Sequence, residues 1–289
     1  MTTSARQRVA AFWDAHVEMW LSGGDPLPPP LDCWFDSYKG NGSGKPTRHG
    51  FPEPYHGDLL GLEQTPRMVV LGLNPGEYRQ KFQSRDGIFA KEIKEEYGSY
   101  SRWQTTCPYN RAPWTLPDQM GKNRYYEARL QFTRRWLQEP DADHGDLLIF
   151  ECYPWHSKAI TAPMCPPREV IEEYVWEPIA ELPVRDVFAF GRPWDGVAQA
   201  LRLPLTAKLG SGGTEYGSTV TGRAVRIYSL PSGQRLVTEW HPGSAGPPSA
   251  PETEILRNAL LRTATGGPST PRPRAGASGA SVPASAERP

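Results

Sequence analysis

Four clusters of chemically capable side chains punctuate this chain, and each closes or follows a short apolar run. Asn74-Pro75-Gly76-Glu77-Tyr78 follows MVVLGL, and Glu151-Cys152-Tyr153-Pro154-Trp155-His156-Ser157 begins at the last residue of LLIFE. Gly191-Arg192-Pro193-Trp194 follows VRDVFAF, and His241-Pro242-Gly243-Ser244 follows LVTEW. The Asn74 carboxamide can orient a water but cannot take its proton, and the His241 imidazole can donate a hydrogen bond where negative charge develops. Glu151 can accept from an N–H, although while ionised it cannot donate. The backbone N–H groups of Gly76 and Gly243, the Ser244 hydroxyl and the Arg192 guanidinium suit a phosphate. Each cluster alone also has a structural reading: Asn-Pro-Gly is an ordinary turn, and Glu151 suits a buried acid paired with Arg or Lys. Their recurrence after four successive apolar runs is what points to a site.

The elements that must position these clusters follow from hydrophobic periodicity. Residues 68–73, 147–151, 184–190 and 236–240 are short, β-rich and apolar, as buried parallel strands are. Helical patterns lie between them at residues 88–97, 123–138, 167–182 and 193–203, with a closing helix at 252–264. This alternation predicts an α/β fold: a central four-stranded parallel sheet with helices on both faces, in a three-layer sandwich. Residues 227–230 suit a further strand that turns through Pro231-Ser232-Gly233 into the last one. Ligands of such sheets bind beyond the carboxyl ends of the strands, where all four clusters fall.

Ahead of the sheet, residues 4–21 place Val9, Phe12, Trp13, His16, Val17 and Trp20 at helical spacing behind a Ser4 cap, which predicts an amphipathic helix on the flank of the domain. Residues 23–57 lose all periodicity and mix Pro and Gly with Trp34, Phe35, Phe51 and Tyr55, as an ordered arm over a groove would. The resulting division is a helix in residues 1–22, the α/β domain in 23–265 and a tail in 266–289. That tail carries Val282 as its sole branched aliphatic residue, too little to offset its ordering entropy, so disorder is expected there.

Composition narrows the function classes. The 289 residues are 38% apolar, enough for a sizeable core, and their formal net charge of zero excludes a global field that would gather polyanions. Lys39, Lys45, Arg48, Lys81, Arg85 and Arg192 are the cations best placed to meet a nucleic-acid backbone. Cys33, Cys107, Cys152 and Cys165 form no CxxC pair, which argues against a zinc site or a disulfide framework. No metal or other cofactor is expected. The chain has no GxSxG elbow and no phosphate loop, and with neither a signal-like start nor a long apolar run it is expected to be cytoplasmic and monomeric.

Taken together, VVLGLNPG, Gly87-Ile88-Phe89, LLIFE, the Phe190-Gly191-Arg192 strand end and EWHPGS resemble the uracil-DNA glycosylase superfamily over residues 52–264, with a first motif similar to its mismatch-specific and single-strand-selective branches. The resemblance implies hydrolysis of the N-glycosidic bond of uracil or another deaminated base in DNA. Asn74 would orient the water and His241 would stabilise the leaving base. Phe89 would stack on the base, and Tyr78, Tyr153, His156 and Glu151 would line its pocket; Gly76, Gly243, Ser244 and Arg192 would hold phosphate. Glu151 stands where these enzymes usually carry an Asn. The last loop reads HPGSAG without an apolar wedge, which implies single-stranded DNA rather than duplex as partner. The alternative is a catalytically inactive protein that holds a base, nucleotide or nucleic-acid end in the same pocket.

Overall fold

A computed structural model of the chain describes residues 3–24, 27–210, 223–241 and 246–265. Among the described residues the strands are β1 (Tyr55–His56), β2 (Met68–Gly72), β3 (Leu147–Glu151), β4 (Asp186–Phe190), β5 (Leu205–Gly210), β6 (Ala224–Ser229) and β7 (Arg235–Trp240). They form one sheet in the order β1-β3-β2-β4-β7-β6-β5. The α/β architecture is as expected, while the sheet is larger and mixed rather than four-stranded and parallel. The four expected strands are consecutive and parallel within it, but β1 pairs antiparallel with β3 at one end, and β6 and β5 extend the other end antiparallel.

Sequence accounts for these positions. Every residue of β2 and β3 is buried, in keeping with their unbroken apolar runs. In β6 buried Val225 and Ile227 alternate with half-buried Ala224 and Arg226, the habit of a strand with one wetter face. The β6–β7 hairpin closes through Gly233 at φ +85°, a conformation that suits glycine. Beyond it, β5 pairs with β6 in Ala207–Ile227 register after a bulge.

The helices are α1 (Ala5–Leu21), α2 (Leu31–Asp36), α3 (Gln80–Gln83), α4 (Ile88–Lys91), α5 (Tyr100–Thr105), α6 (Arg124–Leu137), α7 (Arg168–Ile171), α8 (Glu177–Ala180), α9 (Arg192–Ala200) and α10 (Ala250–Thr265). Helix α4 continues as a π-helix through Glu92–Tyr97, and α7 as one through Glu172–Trp176. Ser4 and Gln7 form a capping box at the start of α1, which buries Val9, Trp13, Val17 and Trp20. Asn123 caps α6 by accepting from the N–H groups of Tyr125 and Tyr126. Among the described residues no helix is long and apolar enough to cross a membrane. Residues 266–289, where the tail was expected, lie outside the described residues.

The arm is largely irregular, as expected, but it is stitched to the sheet. The Glu53 N–H donates to the Pro154 carbonyl at 2.8 Å, the Glu151 N–H to the Pro54 carbonyl at 2.9 Å, and the Thr47 N–H to the His156 carbonyl at 2.9 Å. These bonds set β1 beside β3 and bring Glu53 and His56 to the carboxyl end of the sheet.

Candidate functional site

Beyond the ends of β2 and β3 lies a cavity of about 230 Å³ that Asn74, Gly76 and Glu151 all line. The arm adds Glu53 and His56, and α6 adds Tyr125 and Tyr126. Parallel register places Gly72 opposite Glu151, so the Asn74 turn and the Glu151 carboxyl come from the ends of neighbouring strands.

Asn74 is fixed by its own amide. Its Nδ2 donates to the Ser157 carbonyl at 2.9 Å and to Ser157 Oγ at 3.0 Å. With both N–H bonds spent on one residue, Oδ1 is the atom left to accept from a ligand or a water. Gly76 turns the chain at φ +83°, and open space lies where a Cβ would stand.

Glu151 is 1% exposed. Its Oε1 accepts from the Tyr125 hydroxyl at 3.3 Å, while Oε2 is buried without a partner. Burial pushes its carboxyl up to about 7, against the pull of the Arg129 charge and the Tyr125 bond. The Arg129 guanidinium lies 3.3 Å from the centre of the Tyr125 ring, and its charge acts on Glu151.

Glu53 makes the second half of the floor. Its Oε1 accepts from Gln83 Nε2 at 2.7 Å and from the Tyr109 hydroxyl, and His156 Nε2 stands 3.4 Å away. Its Oε2 is buried and unpartnered. Desolvation raises the Glu53 carboxyl to about 8, and the nearby Glu151 charge adds to the rise, while Tyr109 and Gln83 oppose it. His56 bridges the acids: its Nε2 is 3.8 Å from Glu53 Oε2 and 3.7 Å from Glu151 Oε1. Burial depresses its imidazole to about 3, helped by His156, so it is neutral here. His156 is lowered to about 4 by burial, despite bonds to the Phe51 and Gly76 carbonyls.

The other sequence-predicted site residues fall elsewhere. Phe89 does not line the cavity; it is fully buried behind the wall, stacked on Trp114 at 5.7 Å and edge-on to Tyr109, and those two rings face the cavity instead. Tyr78 sits between the rings of His49 and His156, each 6.2 Å away. Tyr153 is buried in an aromatic cluster, with its hydroxyl on the Phe35 carbonyl at 2.9 Å. His156 supports Glu53 from outside the cavity wall. Arg192 begins α9 and lines a separate groove of about 710 Å³ with Trp240 and Arg226.

His241 follows β7, which β4 separates from β2, and it is not among the residues lining the Asn74 cavity. Gly243 and Ser244 lie outside the described residues. What sequence reasoning missed is the arm's contribution: Glu53 and His56 sit in an aperiodic, Pro-rich stretch, and their one signal was two titratable residues three apart beside Tyr55. No protein-family model matches the chain, and no curated protein matches it significantly.

Proposed function

We propose that this cavity holds a planar heterocyclic base and that the chain is a hydrolase of N-glycosidic bonds, of the uracil-DNA glycosylase type, acting on uracil or another deaminated base in single-stranded DNA. The observation that carries the reading is the sharing of one cavity by Asn74 and Glu151 from neighbouring strand ends, with Glu151 Oε2 buried and unpartnered. A buried oxygen without a partner costs stability, and a ligand N–H would satisfy it. Tyr109, Trp114, Tyr125 and Tyr126 give the walls the flat apolar faces that a base requires.

In this reading Asn74 Oδ1 accepts from the attacking water and aims it at C1′, while Glu151 grips the base edge. Because its carboxyl is held near neutrality, Glu151 can present an acid O–H as well as an acceptor oxygen, which removes the difficulty of an acceptor-only carboxylate in place of an amide. His241, which is not among the lining residues, is given no role in this step.

The test uses single- and double-stranded oligonucleotides bearing uracil, hypoxanthine or xanthine, with alkaline cleavage of abasic sites. Scission by the wild-type protein that is lost in Asn74→Ala and Glu151→Ala is the expected result. Binding of the same strands without scission would replace this reading with the catalytically inactive base-binding one.

A further inference from the structure

We infer that Glu53, delivered by the N-terminal arm, is the proton donor of the proposed hydrolysis, passing the proton on its Oε2 to the departing base. The inference rests on the hydrolase reading above and adds a catalytic residue to it.

Glu53 is 1% exposed and its two oxygens are unlike. Oε1 is occupied as an acceptor by Gln83 and Tyr109, so the proton of the neutral acid belongs on Oε2. That oxygen is buried and unpartnered, and its neighbour His56 Nε2, at 3.8 Å, lies beyond hydrogen-bond distance. A buried O–H left without an acceptor beside an open cavity is what a proton donor awaiting its ligand would present.

The other groups around Glu53 are less able to supply a proton. His56 and His156 are held neutral by burial. The phenols of Tyr100, Tyr109 and Tyr126 are driven well above their ordinary range, first by burial. Glu151 has the Arg129 charge to favour its ionised form, and that negative charge in turn favours the proton on Glu53. Two carboxyl groups with protons held unequally are the arrangement that glycosidic chemistry uses for its acid.

In the step, the C1′–N bond breaks and its electron pair stays with the base, which takes the Glu53 proton on a ring nitrogen or exocyclic oxygen. The Asn74-held water bonds to C1′ through its oxygen and releases one proton to solvent. Glu53 is reprotonated from solvent, so one water is consumed and no net proton is gained or lost.

The experiment measures single-turnover excision from single-stranded oligonucleotides carrying uracil or 5-fluorouracil, from pH 5 to pH 9, for wild type and Glu53→Gln, with strand affinity measured in parallel. Glu53→Gln keeps the side-chain shape but has no proton to transfer. Expected are nearly unchanged affinity, a uracil rate about 10²-fold lower, a smaller loss for the better leaving group 5-fluorouracil, and a shallower alkaline limb than in wild type. Equal losses for both bases, or a Glu53→Gln rate and pH profile like wild type, would overturn the assignment while leaving the hydrolase reading intact. A wild-type protein that binds but never excises would remove both. Should Glu53→Gln fold poorly, the wild-type ratio of 5-fluorouracil to uracil rates gives the reading instead: it should rise along the alkaline limb as the donor loses its proton, and a constant ratio would overturn the assignment.

Discussion

Gly72 and Glu151 are register partners at the carboxyl ends of β2 and β3, and a Cβ on Gly72 would stand 2.3 Å from Glu151 Oε2 and 2.5 Å from the Tyr125 hydroxyl. The glycine is there for space, because both groups close over a backbone that carries no side chain. Gly72→Ala is therefore expected to push the Glu151 carboxyl out of place without straining the strand. We expect excision or base binding to fall by about 10²-fold, the scale of a displacement near 1 Å in a catalytic group. Destabilisation should stay within the 1–3 kcal/mol range of overpacking. Paired rate and melting measurements would show this, and a Gly72→Ala variant with wild-type activity would mean that the position of Glu151 does not matter.

Asn74 and His241 should separate sharply. Asn74→Ala removes the oxygen proposed to hold the water and is expected to lower excision by about 10²-fold. His241→Ala, outside the lining of the cavity, should remain within about threefold of wild type. Equal losses in the two variants, measured on one uracil-containing single strand, would place the imidazole in the chemistry after all.

The Asn123 cap ties local sequence to the cavity wall, since its side chain accepts from the Tyr125 and Tyr126 N–H groups at the head of α6. Asn123→Ala is expected to cost about 1 kcal/mol, read from the denaturation midpoint. It should also weaken base binding, because the frayed turn carries the Tyr125 hydroxyl that meets Glu151. Wild-type affinity alongside reduced stability would show that Tyr125 is held by the stacked Arg129 rather than by the cap.

The legible and illegible parts of this molecule divide on physical grounds. MVVLG and LLIFE announced themselves because a strand buried on both faces must be apolar throughout, and their polar ends marked the site at Asn74 and Glu151. Strand β5 was missed because LTAKLG lies at the edge of the sheet and carries little apolar signal. Strand β1 is two residues long behind Pro54, and its pairing with β3 is a tertiary fact that no local pattern encodes. With it went Glu53 and His56, half of the acidic floor. Phe89 was misplaced for a related reason: an aromatic ring after a glycine reads alike whether it faces a ligand or, as here, Trp103, Tyr109 and Trp114.

Four buried titratable groups should shape stability against pH from opposite sides. Glu53 and Glu151 have folded values of about 8 and about 7 against an ordinary 4.5, so above pH 4.5 the folded state retains protons that the unfolded chain gives up. Their contribution is fully present below pH 4.5 and is lost as pH rises toward 8. His56 and His156 have folded values of about 3 and about 4 against 6.5, so their contribution is present above pH 6.5 and is lost as pH falls through the range below it. Between pH 4.5 and 6.5 the two pairs oppose each other, which predicts a broad stability optimum there. Each uncompensated proton then contributes a slope of roughly 1.4 kcal/mol per pH unit on either side. Asp146, whose burial is outweighed by its bonds to Arg67 and others, steepens the acid limb. Thermal melts from pH 3 to pH 9 should show both limbs in the wild-type protein, and Glu53→Gln should flatten only the alkaline one. An alkaline limb that persists in Glu53→Gln and Glu151→Gln together would mean that these carboxyls are not held as neutral acids, and the proton donor proposed above would lose its source.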